Sequence, residues 1–307
     1  MLYQFDMKCF HQSSEHNDTK KLKEMINDFV SELVNRKDDN GKTALQKASD
    51  KETITYLASI GANVNVQDAF GKTPLHEAAS KGQLEVMKFF LENGVTVDAK
   101  SNDDSTPLHC AAVNDEIEVV KFLIEKGAMV DAKNKKGNTP LYIASSKGKI
   151  EVVKCLIENG AAIEDKNKVG KTPLYFASSS GKIEVVKCLI ENGAMINTTT
   201  DNGDKFTPLH IAAQQNHLEV VTYLIEKGAS IDMQDRDNET PLHNAVRKSN
   251  LEIVKCLIKK GATIEAKNKF GKTPLTAYKC HIDVFNTLTF LSHLLVRRTG
   301  TGVRSTI

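Results

Sequence analysis

The sequence predicts an all-α solenoid built from stacked helix–turn–helix units. Three observations point there. The triplet Thr-Pro-Leu begins at Thr73, Thr106, Thr139, Thr172, Thr207, Thr240 and Thr273, and a variant, Thr-Ala-Leu, begins at Thr43. The steps between these starts are 30, 33, 33, 33, 35, 33 and 33 residues, and all seven prolines sit in the triplets. The stretches between them repeat as well: residues 139–160 read TPLYIASSKGKIEVVKCLIENG and residues 172–193 read TPLYFASSSGKIEVVKCLIENG. A fixed period of this size marks a chain of similar units, each too poor in apolar residues to form its own core.

Each element of the repeat has a local physical reason. Thr is a good N-cap, and Pro at the first helical position loses nothing, because that N–H has no helical partner and φ is already set. From Pro140 to Ser146 there is room for a helix of about two turns, which Gly148 ends. Ile150, Val153, Leu156 and Ile157 then lie on one stripe of a second helix. Gly160 falls just past its end, where positive φ suits glycine. Residues 161–170, rich in Asp, Asn, Lys and Gly, form a turn leading to the next repeat. Asp104 and Asn238 stand where other repeats place the Gly of Gly-Lys-Thr, and both residue types tolerate the left-handed region.

TPLHEAA, the EVVKFLIEKGA type of second helix and the near-33 period together resemble the ankyrin repeat family over about residues 38–276. Cut five residues before each Thr, the repeats are 38–67, 68–100, 101–133, 134–166, 167–201, 202–234, 235–267 and 268 onward. The first is short near Asp50–Glu52, which predicts an abbreviated turn between its helices. The fifth carries its two extra residues in Thr198–Asp201. Residues 1–37 read as an N-terminal segment with a polar capping helix, 277–296 as a divergent apolar C-terminal cap, and 297–307 as a disordered tail.

Composition narrows the function. Of 307 residues 40% are hydrophobic and 26% charged, and 41 Lys plus Arg against 39 Asp plus Glu leave a net charge of +2. That balance gives no whole-chain case for nucleic acid. The first ten residues hold Asp6 and Lys8 where a secretory leader needs an apolar run. The most apolar stretch, 284–296, is too short to span a membrane. The six Cys form no CxxC pair, so a reducing, cytoplasmic compartment is expected, with nuclear or host-cell placement left open.

Candidate chemistry gives way to structural readings. His76, His109, His210 and His243 share one position after Thr-Pro-Leu, but Gln46, Tyr142, Tyr175 and Thr276 share it too, which no metal row tolerates. The resemblance implies that this side chain bridges backbone groups between loops. Cys155, Cys188 and Cys256 alternate with Phe89, Phe122 and Tyr223, which marks packing. No phosphate-binding, nucleophile-elbow, zinc-protease or kinase motif occurs, so no catalytic, cofactor or metal residue is expected.

The resemblance also implies where a partner binds: on hairpin-like loop tips and the exposed face of each first helix, which line a concave surface. By position these are Phe70, Lys72, Lys81, Asn102, Asp103, Lys135, Lys136, Lys147, Lys168, Lys171, Asp204, Phe206, Arg236, Arg247, Lys248, Lys269 and Phe270. Bases outnumber acids here, whereas the second helices carry Glu85, Glu118, Glu151, Glu184, Glu219 and Glu252. A basic inner side and a more acidic outer side are expected, with Phe70, Phe206 and Phe270 as aromatic anchors. The implied function is a non-catalytic scaffold or adaptor that binds a protein with an acidic, partly apolar surface. The chain is expected to be a monomer, with association through its apolar C-terminal segment as an option. The alternatives are the regulatory or targeting part of a larger enzyme or channel assembly, or a host-directed effector.

Overall fold

The computed structural model of the chain describes residues 19–277 together with 284, 286 and 289, with side chains from residue 27 onward. Among the described residues there are sixteen helices and no strand. Apart from residues 277, 284, 286 and 289, the segments expected to be a C-terminal cap and a disordered tail lie outside the described residues, as does everything before residue 19.

The packing divides into two units, at Lys135 and Lys136. The first contains α1 (Thr19–Val34), α2 (Ala44–Lys47), α3 (Lys51–Ser59), α4 (Pro74–Ser80), α5 (Leu84–Glu92), α6 (Pro107–Asn114) and α7 (Ile117–Glu125). Its short first helices pack in series, α2 on α4 and α4 on α6; its second helices do likewise, α3 on α5 and α5 on α7. The second contains α8 (Pro140–Lys147), α9 (Ile150–Glu158), α10 (Pro173–Ser179), α11 (Ile183–Glu191), α12 (Pro208–Gln214), α13 (Leu218–Glu226), α14 (Pro241–Arg247), α15 (Leu251–Lys259) and α16 (Pro274–Ala277). Here α8, α10, α12, α14 and α16 form one layer, and α9, α11, α13 and α15 the other.

The same positions supply the core from repeat to repeat. The Leu of Thr-Pro-Leu is wholly buried at Leu75, Leu108, Leu141, Leu174 and Leu242. From α5 onward each second helix adds an adjacent pair and a third residue, such as Val152, Val153 and Leu156, whereas α3 buries Ile54 alone. Burying one such side chain contributes about 1.5–3 kcal/mol. Helix α1 turns Val34 inward and exposes Phe29 and Leu33.

Two local expectations change. The first repeat does not lose its inter-helix turn; α2 is cut to four residues, and Ala48, Ser49 and Asp50 still separate it from α3, where Asp50 caps Thr53 N–H at 2.7 Å. A helical turn can be dropped without unsatisfying the next helix, whereas the linker carries its N-cap. In the fifth repeat, the extra residues sit at the tip itself. Thr200 N–H donates to Phe206 O at 3.0 Å, enclosing five residues where Asp68 and Lys72 enclose three. Thr200 is buried and accepts from Phe206 N–H at 3.1 Å, so it keeps the role of the tip Asp or Asn and the chain bulges beyond it.

Candidate functional site

Each tip is a tight turn closed on one polar side chain. The Asp68 carboxylate accepts the Phe70 and Lys72 N–H groups at 2.9 and 2.8 Å, and Gly71 N–H donates to Asp68 O at 3.0 Å. Asn167, Asp235 and Asn268 repeat this arrangement. Successive tips are bonded to one another. In the first unit, Ala69 N–H donates to Asn40 O, Asn102 N–H to Phe70 O and Lys135 N–H to Asp103 O, at 3.3, 2.9 and 2.8 Å. In the second, Lys168 N–H donates to Lys136 O, Arg236 N–H to Asp204 O and Lys269 N–H to Asp237 O, at 3.1, 2.9 and 2.8 Å.

The histidine column braces this ladder from below. His210 Nδ1 accepts Thr207 N–H at 3.2 Å and lies 2.7 Å from its hydroxyl, while Nε2 donates to Glu239 O in the next tip at 3.1 Å. His76 spans to Ser105 O and His243 to Lys272 O in the same way. Gln46 does the job without a ring: Oε1 accepts Thr43 N–H at 3.0 Å and Nε2 donates to Lys72 O at 2.9 Å. Burial pushes the His210 imidazole down to about 4, against the pull of the Glu239 carbonyl. Burial also lowers His76 and His243. These imidazoles are neutral structural bridges with both nitrogens engaged.

The predicted residues fall into distinct environments. Phe70 and Phe270 stand at equivalent places in their tips and are 65% and 68% exposed. Phe206 is not their counterpart. It directly precedes Thr207, as Lys72 precedes Thr73, and a side chain there folds over the first helix. Its ring is half-buried and stacked on His210 at 5.6 Å, with 6° between planes. Lys171, at that same position, lies over Tyr175 and Phe176 at 4.9 and 5.4 Å. Lys72 is half-buried, and its carbonyl accepts from Gln46. Asn102 braces the neighbouring tip, donating to Ala69 O at 3.0 Å. Lys135, Lys136, Lys147, Lys168, Asp204, Arg236 and Lys248 are exposed.

Charge is more evenly paired than the sequence suggests. On the tip side, Lys81 meets Glu77 at 3.3 Å and Lys269 meets Asp237 at 2.5 Å. Arg247 pairs with Glu239 at 3.1 Å and also bonds Asn244. Lys269 holds the Asp237 carboxyl below its ordinary range. Burial opposes ionisation of Asp103, but the Ser101 and Ser105 hydroxyls keep it low. The second helices pair part of their acid content within themselves. Glu85, Glu118, Glu151, Glu184 and Glu252 each meet the Lys one turn on, at 2.6–3.0 Å, because helical geometry puts residues three apart on one face.

Tyr142 lies 4.4 Å from Phe176 and accepts from Asn167 Nδ2 at 3.1 Å. This second-unit cluster was not among the predicted site residues. Its signal was the column four residues past Thr, which reads Glu77, Cys110, Ile143, Phe176, Ile211 and Asn244 and varies as freely as the tips do.

A family model described as ankyrin repeats in three copies matches residues 48–134, 97–167, 130–200, 148–235 and 209–293. The chain is a member of the ankyrin repeat family. Among solved structures, this ankyrin-repeat chain is similar to the ankyrin repeat domain of human ASB11. The two are 30% identical, with a TM-score of 0.65, over 76% of this chain and all of that one. It is also similar to the ankyrin repeat domain of Bcl-3, described as a unique member of the IkappaB family, with 29% identity and a TM-score of 0.62 over 71% and 99% of the two chains. Ankyrin repeat domains generally mediate protein–protein interaction. No helix of this ankyrin-repeat protein, among the described residues, is long and apolar enough to cross a membrane.

Proposed function

We propose that this chain is a non-catalytic scaffold or adaptor whose loop tips and first-helix faces grip a protein with an acidic, partly apolar surface. The observation that carries the reading is the pair of tip phenylalanines. Phe70 and Phe270 leave about two thirds of their surface in water on turns that the Asp68 and Asn268 side chains already hold. Neither ring is needed by its turn, since Val169 and Asp237 hold the same place in tips closed by the same bonds. Exposed aromatics on a fixed frame are the usual source of interface energy. Exposed bases on other tips and first-helix ends, Lys135 in the first unit and Lys168, Arg236 and Lys248 in the second, favour an acidic partner and speed its approach. Binding is favoured over catalysis because the histidines that invite an acid–base reading are spent on bridges.

The test is a pull-down with the intact chain, followed by affinity measurements on the captured partner. Phe70→Ala with Phe270→Ala should weaken binding at least tenfold with an unchanged melting temperature, about 1.4 kcal/mol or more. Retained affinity would refute the tip assignment.

A further inference from the structure

Five Asn-Gly pairs occur in the chain: Asn40-Gly41, Asn93-Gly94, Asn159-Gly160, Asn192-Gly193 and Asn202-Gly203. This dipeptide is chemically vulnerable, because glycine leaves its amide nitrogen uncrowded for attack on the preceding carboxamide. Folding protects four of the five. Gly41 N–H is held by Asp38 O, Gly94 N–H by Leu91 O, Gly160 N–H by Ile157 O and Gly193 N–H by Ile190 O, at 2.9, 3.2, 2.9 and 3.0 Å. Three of those asparagines are also tied by their own amides, since Asn93, Asn159 and Asn192 each donate Nδ2 to the carbonyl one helical turn back at 2.8 Å. All three lie at helix C-termini, where the backbone is fixed.

Asn202-Gly203 differs in its glycine amide and in its place in the fold. It lies in the lengthened tip between Thr200 and Phe206, both residues are exposed, and Gly203 has φ +87. Gly203 N–H has no acceptor among the described residues. The carboxamide oxygen is also polarised, since Asp204 N–H donates to Asn202 Oδ1 at 3.2 Å, while Nδ2 is tied only within the exposed tip, to Asp204 Oδ2 at 2.7 Å. A donor on the carbonyl oxygen stabilises the charge that grows there when a nucleophile adds. The Arg236 guanidinium is the nearest cation, 3.9 Å from where a Cβ on Gly203 would lie.

We propose that Asn202 is a self-modifying site that deamidates through its own backbone. Gly203 N gives its proton to water or hydroxide and bonds to Asn202 Cγ. Nδ2 takes up a proton and leaves as ammonia, closing a five-membered imide. Water then adds to one of the two imide carbonyls. Cleavage at Cγ yields aspartate, and cleavage at the backbone carbonyl yields isoaspartate. No enzyme or oxidant takes part. The product adds one negative charge to a tip that already holds Asp201 and Asp204, facing Arg236.

The experiment incubates the intact chain at 37 °C in buffers near pH 8 and pH 5, in native buffer and in denaturant, and follows all five sites by peptide mass mapping with isoaspartate detection. In native buffer, Asn202 should convert several-fold faster than the other four, giving both products, and faster at the higher pH. In denaturant the five rates should converge. Asn202→Gln, whose longer side chain cannot close a five-membered imide, should abolish conversion at that site. If Asn202 stays intact as long as Asn159 and Asn192 in native buffer, or if the five rates already match there, the proposal fails.

Discussion

At the residue scale, one imidazole sets a pH limit. His210 is neutral in the fold, and burial has moved it from an ordinary 6.5 to about 4. A depressed histidine stabilises the fold fully above about 6.5, where both states are neutral. As pH falls below that, the unfolded chain gains a proton the folded chain refuses, so the contribution fades between about 6.5 and about 4. His76 and His243 add in the same direction. Denaturant midpoints should therefore drop across that window. His210→Gln should fold, because Gln46 already makes both bonds of the bridge, and it should lessen the acid sensitivity. An equally steep fall in the variant would show that other groups govern it.

At the element scale, α8 and α10 carry a flaw in the core. Ser145 and Ser178 are wholly buried, and their hydroxyls have no hydrogen-bond partner among the described residues. The matching residues in α4, α6 and α12 are Ala79, Ala112 and Ala213, each also fully buried. A buried unsatisfied hydroxyl costs about 1–3 kcal/mol. Ser145→Ala and Ser178→Ala should each stabilise the protein by about 1 kcal/mol, read as a raised urea midpoint at unchanged slope; a lowered midpoint would count against the reading. The tips have the opposite tolerance. Gly170 has φ +72, and a Cβ there would sit 2.0 Å from Asp201 N in the next tip. Gly170→Ala should cost at least about 1–3 kcal/mol, and thermal unfolding of the variant measures it.

At the scale of the whole molecule, a net charge of +2 conceals extensive local pairing. The Glu–Lys pairs of the second helices are exposed, and each contributes about 0–1 kcal/mol at most. Stability should change little when salt is raised. Binding should respond more strongly if exposed tip bases such as Lys168 and Arg236 meet an acidic partner. Association rates measured from low to high salt should fall while the melting temperature stays nearly constant. A salt-independent association rate would remove the electrostatic part of the proposal and leave the aromatic part standing.

The repeat, its helices and its left-handed turns were legible in the order of residues alone. Thr-Pro starts, glycine stops and the spacing of Leu and Val are local rules that each repeat obeys alone. Asp104 and Asn238 bear this out, at φ 60 and 55. The likeness among repeats also revealed that the histidine column was structural, because Gln and Tyr shared it. Packing settled what depends on neighbours: that Phe206 stacks inward while Phe70 and Phe270 point into water, that one Glu in most second helices meets a Lys of its own helix, that the first repeat shortens a helix rather than a turn, and that one Asn-Gly backbone amide in five is left untied. A side chain's type and position fix what it is able to bond, but only the adjoining repeat supplies or withholds the partner.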